Sequence, residues 1–147
     1  MGGGLKFFYL CDRVDSMVKE VRYSGKIIPN GVHLEKHEYD TIVFLTEMGM
    51  DIELIPPSNI PGRKTPDFIM NGLVWEMKSP KGKTRSTIEH AFQTAMKQSN
   101  NILFDIRRTQ LPEAKTIIIL EQLFSHSKGV KRLSIITRDH RLLDYKK

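Results

Sequence analysis

The chain has 147 residues, of which 39% are hydrophobic and 27% charged, and this balance indicates one soluble globular domain rather than a disordered or fibrous chain. Its formal charge of +6 favours a polyanionic partner. The single cysteine, Cys11, excludes an intrachain disulfide and a cysteine metal cluster. Because no apolar run is long enough for a signal or membrane segment, we expect a cytoplasmic site of action and no membrane partner.

The first 30 residues have the weakest pattern. Asp12 is placed to cap a short helix whose apolar residues recur at helical spacing from Val14 to Val21. Residues 26–31 then read as an extended piece that runs into a turn. We predict that residues 1–30 form an extension that packs on the core.

A helix is predicted from about residue 33 to residue 48, and Gly49 is placed to end it. Glu38 lies on a line with Ile42 and Leu45, so its carboxylate falls at the edge of the buried face. The apolar stripe of this helix is predicted to comprise Tyr39, Ile42, Val43 and Thr46.

A β-hairpin is predicted in the middle of the chain. Two short apolar runs, 68–70 and 73–75, are joined by Asn71-Gly72, the dipeptide that best tolerates the positive φ angles of a two-residue type I′ turn. This loop sets the register and places Asp67 opposite Glu76. Directly opposed carboxylates repel each other unless a cation lies between them.

Because side chains alternate along a strand, Lys78 is predicted on the same face as Glu76, while Trp75 points into the core. Two carboxylates and a lysine therefore converge. Hard cations such as Mg²⁺ bind carboxylates, and a nearby lysine orients or deprotonates water or neutralises charge on a phosphate. This set favours metal-assisted hydrolysis of a phosphodiester. The alternative is an ordinary cross-strand ion pair between Lys78 and either Asp67 or Glu76.

Basic residues flank the hairpin on both sides and are candidate nucleic-acid contacts, although ordinary basic connectors are the alternative. The spacing around them is not that of a P-loop, which argues against nucleoside triphosphate binding. The candidates are Arg63 and Lys64 before the hairpin and Lys81, Lys83 and Arg85 after it.

The remaining pattern predicts an α/β fold, a mixed central β-sheet flanked by helices, because a strand, a helix and a strand in succession indicate parallel pairing. We predict one domain over residues 1–147, in which 31–106 is the motif-bearing core and 107–147 adds a C-terminal helix and strands. The predicted elements are a strand at 51–55, a helix opened by a capping box of Ser86 and Glu89, a buried strand at 102–106, a helix from Pro112, and strands at 133–137 and 142–145.

Pro66-Asp67 followed by Glu76-Met77-Lys78 resembles the signature of the PD-(D/E)xK nuclease superfamily. The wider pattern, from about residue 31 to residue 106, adds an acidic helix, the segment 49–56 and the segment 76–82. In this form it resembles the C-terminal tRNA nuclease domains of contact-dependent growth inhibition toxins. The resemblance implies a restriction-endonuclease-like core and a divalent-metal-dependent endonuclease.

The resemblance also assigns roles. Asp67, Glu76 and Glu38 would hold the metal, Mg²⁺ first and Mn²⁺ or Zn²⁺ as alternatives, with Glu35 or Asp40 as substitutes for Glu38. Lys78 would act on the water or on the developing charge, and Gln98 would orient water or phosphate. On the residues alone, Glu38 is equally explained by the helix dipole or by pairing with a lysine such as Lys36, and Gln98 by an exposed helix position.

The function predicted from these observations is a metal-dependent endonuclease. RNA is the preferred substrate, with tRNA inferred from the resemblance. Two alternatives remain open: a DNA endonuclease of the restriction or repair type on the same fold, and a non-catalytic basic module that binds nucleic acid. A toxin of this kind would also have a cognate acidic inhibitor, or immunity protein. The sequence does not set the oligomeric state.

Overall fold

The computed structural model describes residues 24–147, which form a seven-stranded sheet and three helices. The helix predicted around Asp12 lies outside these residues. The strands are β1 (Ile27–Ile28), β2 (Ile52–Leu54), β3 (Phe68–Met70), β4 (Leu73–Lys78), β5 (Asn101–Asp105), β6 (Arg132–Ile136) and β7 (Leu142–Lys146), and the helices are α1 (Lys36–Glu47), α2 (Arg85–Met96) and α3 (Glu113–His126).

The sheet is mixed, which confirms the predicted fold class, and its strands lie side by side in chain order from β1 to β7. The pairs β1–β2, β4–β5 and β5–β6 are parallel, and the other three are antiparallel. Since β4, β5 and β6 run in one direction, their carboxyl ends share one edge of the sheet. We call this the carboxyl edge. The piece at 26–31, predicted only as extended chain, supplies edge strand β1.

The two faces of the sheet are covered by different helices. Helix α1 buries Ile42 and Leu45 against Trp75 and Met77 on one face. Helices α2 and α3 cover the other face over β5 and β6, around Phe104. The predicted stripe of α1 was partly wrong: the side chain of Tyr39 is 54% exposed, whereas Phe44 and Leu45 are buried.

Helix α2 begins two residues earlier than predicted and without the predicted capping box. Thr84 is the N-cap residue, and no side chain caps the helix. Glu89 instead lies 3.5 Å from the Nε atom of Arg85, one helical turn before it. This carboxylate therefore contacts a side chain rather than the main chain at the start of the helix.

The hairpin has the predicted turn and register. Asn71 and Gly72 have φ angles of 54° and 74°, the left-handed values that a type I′ turn requires. Phe68 pairs with Trp75, and Met70 pairs with Leu73. The Trp75 indole N–H also donates to the main-chain oxygen of Met70 at 3.2 Å, which fixes the indole against the hairpin.

None of the three helices in residues 24–147 combines the length and the apolar character that crossing a membrane requires.

Gly72 provides a test of the turn. A Cβ atom added at Gly72 would meet no atom within 4 Å, so the effect of Gly72→Ala isolates its left-handed backbone. We expect the variant to lower the free energy of unfolding by about 1 kcal/mol in urea denaturation. Gly129→Ala is the matched control, because an added Cβ is equally unobstructed there and the backbone is not left-handed. Equal losses in both variants would contradict this account of the turn.

Candidate active site

The regular ladder between β3 and β4 ends at the pair Phe68–Trp75. Beyond it, the N–H of Asp67 donates to the main-chain oxygen of Trp75 at 2.9 Å. The N–H of Met77 donates at 2.8 Å to Oδ2 of Asp67. A carboxylate thus takes the place of a main-chain acceptor, and Asp67 and Glu76 do not form the regular cross-strand pair that the turn predicts.

Glu76 is buried and points to the same side of β4 as Lys78. The residue is only 3% exposed, and its Oε2 atom lies 3.2 Å from Nζ of Lys78. Its other oxygen, Oε1, is buried without a hydrogen-bond partner among the described residues. Because a buried, unpaired polar atom destabilises a fold, this oxygen is a candidate ligand for a group that the chain itself does not provide.

Both carboxyl groups of the pair have raised pKa values. The pKa of Glu76 is raised to about 8, first by burial and then by the negative charge of Asp67, while the positive charge of Lys78 acts in the opposite direction. Burial also raises the pKa of Asp67, although the hydrogen bond from Met77 opposes the change. Asp67 and Glu76 therefore share a desolvated site with one cation, Lys78, which cannot neutralise both of their charges.

Glu38 lies close enough for its charge to raise the pKa of Asp67 further. Its Oε1 atom, however, accepts the N–H of Glu35 at 2.9 Å in a capping box that begins α1. In residues 24–147, no three Asp, Glu, His or Cys side chains are grouped closely enough to hold a metal ion. The structure therefore places Asp67, Glu76 and Lys78 together, with Glu38 beside them; we call these first three residues the acidic site.

The two substitutes considered for Glu38 are engaged elsewhere. Asp40 pairs with Nζ of Lys36 at 2.9 Å on the exposed side of α1. Glu35 lies 3.5 Å from Nδ1 of His37. Glu38 is therefore the acid of this helix with an electrostatic effect on the acidic site.

Gln98 does not reach the acidic site. Helix α2 starts near the carboxyl edge and runs back along the sheet, so Gln98, which follows the helix, lies at the opposite edge. The next residue, Ser99, donates its hydroxyl to the main-chain oxygen of Val74 at 2.9 Å, near the start of β4. Sequence spacing alone could not show this, because the position depends on where the helix starts and how it crosses the sheet.

The predicted basic contacts divide into two groups. Arg63, Lys64, Lys81 and Lys83 are exposed in the two loops that enter and leave the hairpin, next to the acidic site in the chain. Arg85 is the exception, since its guanidinium contacts Glu89 and the side-chain oxygen of Gln122 on α3. Arg85 is exposed but has contacts within the fold, and its role in nucleic-acid binding stays a prediction.

Sequence reasoning missed a polar cluster at the end of β5. Asp105 is buried, accepts the Thr41 hydroxyl at 2.6 Å, and binds Arg107 through Nε at 2.9 Å and Nη2 at 2.7 Å. Arg108, the next residue, donates to the main-chain oxygen of Ser79 at 3.0 Å. The signal available was an acid closing an apolar strand, followed by two arginines.

Comparison with known proteins gives a family and a fold. Residues 64–142 match the family described as contact-dependent growth inhibition CdiA C-terminal domain. The structure is similar to one solved as the CdiA-CT/CdiI toxin and immunity complex from Burkholderia pseudomallei, with a TM-score of 0.64 and 18% identity over 84% of this chain and 100% of that chain. At this identity, the similarity shows the fold alone. No curated protein matches the chain.

The raised pKa of Glu76 predicts how stability depends on pH. Between the ordinary value of 4.5 and about 8, the unfolded chain has lost the Glu76 proton while the folded chain retains it, so the free energy of unfolding falls as pH rises through this window. Glu76→Gln removes this contribution. In chelated buffer, we expect the variant to gain stability relative to wild type between pH 5 and pH 8 in thermal melts.

Glu53→Gln is the control for loss of a carboxylate, because Glu53 lies on neighbouring strand β2 and is partly exposed. It should show less of this gain. If Glu76→Gln and wild type keep a constant difference in melting temperature from pH 5 to pH 8, the burial of an ionisable Glu76 is contradicted.

Proposed function

The chain belongs to the contact-dependent growth inhibition CdiA C-terminal domain family, which gives it a toxin function, and from this we propose that it is a divalent-metal-dependent endonuclease of the PD-(D/E)xK type. The observation that carries the proposal is the acidic site. It combines two adjacent acids, a buried carboxylate oxygen without a partner, and a lysine 3.2 Å from the same carboxylate.

The residues fit a hard cation. Mg²⁺ is commonly bound through one or two carboxylates, with waters and substrate phosphates completing its ligands. Asp67 and Glu76 would supply the carboxylates, and Glu38 would support them electrostatically or through water. The partnerless Oε1 of Glu76 and the raised pKa values of both acids indicate a site that lacks positive charge. When bound, the cation would supply Lewis-acid activation of water and of the phosphate.

The residues of the chain have separable tasks. Asp67 is fixed by the N–H of Met77, so its carboxylate has a defined orientation. Glu76 is buried away from water, which strengthens the electrostatic interaction of its carboxylate with any cation. The Lys78 side chain is 23% exposed, so its amine reaches solvent while it contacts Glu76. There it can orient an attacking water or stabilise negative charge on the phosphate.

For the substrate we propose RNA, and tRNA in particular, on the basis of the motif resemblance to toxin tRNA nucleases. The exposed cations Arg63, Lys64, Lys81 and Lys83 would contact phosphates of the backbone. DNA is the second candidate substrate, because the acidic site contains no group that selects for a 2′-hydroxyl among the residues described.

We also propose a cognate immunity protein as partner, since the similar structure was solved as a toxin and immunity complex. With a formal charge of +6 on the toxin, an acidic inhibitor would associate quickly and cover the basic loops. Expression of active protein in cells without any inhibitor, at no cost to growth, would argue against this partner.

Cleavage assays test the enzyme proposal. With Mg²⁺, the wild-type protein should cleave tRNA, and Glu76→Ala and Lys78→Ala should each lower kcat/KM by about 100-fold or more, because each removes a group placed at the reacting phosphate. Glu53→Ala and Lys146→Ala are the matched controls on other strands and should retain activity. Folding of every variant is first verified by circular dichroism.

Plasmid DNA provides the second arm of the assay. Preferential cleavage of DNA would show that the enzyme is a DNA endonuclease. Full activity of Glu76→Ala would show that the acidic site does not take part in cleavage. If wild type cleaves neither substrate, binding with a salt dependence that weakens on Lys83→Gln would indicate the non-catalytic module.

Metal binding has a test that does not need activity. A cation that binds only the folded protein raises its stability by about 2.7 kcal/mol at 100 times the Kd. We expect Mg²⁺ to raise the melting temperature of wild type and to have little effect on Glu76→Gln or Asp67→Asn, with NaCl at matched ionic strength as the control. Mn²⁺ and Zn²⁺ titrations would rank the metals. Equal shifts in all three proteins would contradict the assignment of these ligands.

A further inference from the structure

A cavity lies at the carboxyl edge, on the face of the sheet that α1 covers. Its volume is about 340 Å³. Ser79 lines it and follows Lys78 directly in the chain, so the cavity and the acidic site lie on opposite sides of the end of β4. Its lining includes His37, Phe44, Ser79, Arg107, Arg108 and His140.

Two residues that line this cavity carry polar atoms without partners. The hydroxyl of Ser79 and Nε of Arg108 are buried and have no hydrogen-bond partner among the described residues. Both residues are held together, because Nη2 of Arg108 donates to the main-chain oxygen of Ser79 at 3.0 Å. A hydroxyl and a guanidinium N–H without partners, on two residues that a hydrogen bond joins, are two donors for which the described chain provides no acceptor.

No carboxylate that lines the cavity in the described part of the chain forms a salt bridge with Arg108. Arg107 is neutralised by Asp105, and its guanidinium lies over the Phe44 ring, 5.1 Å from the ring centre. The other two acids that line the cavity are Asp40, which pairs with Lys36, and Glu47, which is exposed. Within residues 24–147, Arg108 forms no salt bridge, so its positive charge remains available to a ligand.

We propose that Ser79 and Arg108 form a phosphate subsite that holds a backbone phosphodiester of the nucleic-acid strand beside the scissile bond. The planar guanidinium and the hydroxyl are suited to phosphate oxygens. The position of Ser79 immediately after Lys78 places this phosphate next to the acidic site. The inference rests on the proposed function, since it assigns part of the substrate to a defined pocket.

Equilibrium binding of a fluorescent single-stranded RNA in EDTA, where cleavage cannot interfere, tests the subsite. Arg108→Gln should weaken binding roughly tenfold, because a charged hydrogen bond is lost. It should also reduce the slope of log K against log salt by about 0.7, the value for one phosphate contact on a single strand. Ser79→Ala should weaken binding less and leave the slope unchanged, because no charge is removed.

The matched control is Arg132→Gln at the start of β6, on the opposite edge of the sheet, which should leave the slope at the wild-type value. Arg108→Lys should restore the slope but only part of the affinity, because an ammonium lacks the guanidinium fork. If Arg108→Gln does not fold, the RNA affinity of Ser79→Ala tests the subsite instead. In that variant Arg108 keeps its hydrogen bond to the main-chain oxygen of residue 79.

Two outcomes overturn the subsite. Slopes that are equal for wild type, Arg108→Gln and Arg132→Gln would show that water alone satisfies these donors. If Arg108→Gln weakened the binding only of RNA that carries a 5′-phosphate, the ligand of the subsite would be a terminal phosphate rather than a backbone phosphodiester. Neither result depends on cleavage: loss of activity in Glu76→Ala tests the enzyme proposal, and the salt slope tests the subsite.

Discussion

The hydrogen bond from the Met77 N–H to Asp67 connects the hairpin to the acidic site. A two-residue turn sets the register, and that register brings Asp67 to the point where the ladder between β3 and β4 stops. A side-chain acceptor replaces a main-chain one there, so the strands can separate without leaving a buried N–H unpaired. The carboxylate that permits this separation is held beside Glu76. The same bond therefore satisfies the main chain and positions a functional group.

The buried carboxylate of Glu76 lowers the free energy of unfolding, and the rest of the fold must offset this loss. A buried carboxylate with a raised pKa, beside a second acid and a single lysine, destabilises the folded chain as pH rises. Such an arrangement is uncommon in a purely structural position, where an apolar residue would pack as well. The two apolar clusters on either side of the sheet supply the stability that this residue takes away. Ionisable groups with perturbed pKa values, held in place by a well-packed core, are typical of a functional site.

The hairpin, the alternation along β4 and the mixed sheet could be predicted from local patterns, because turn chemistry and strand periodicity act over a few residues. The departure at Asp67 could not, because it depends on a side chain competing with the main chain for one N–H. The place of Gln98 was missed for a different reason: its distance from Lys78 depends on the path of α2 across the sheet. The family resemblance to growth inhibition toxin domains is confirmed over residues 64–142, whereas the role of each site residue stays a prediction.

The alternation of side chains at the end of β4 has a further consequence. Lys78 belongs to the face of the acidic site, whereas the next residue, Ser79, lines the cavity on the face that carries α1. A ligand that crosses the carboxyl edge can therefore contact both faces within one residue of β4. The cluster of Asp105, Arg107 and Thr41 joins α1 to β5 at this edge, with the Arg107 guanidinium over the Phe44 ring. Because β4 and β5 are parallel, their carboxyl ends lie side by side, and residues from both faces of the sheet meet at this edge.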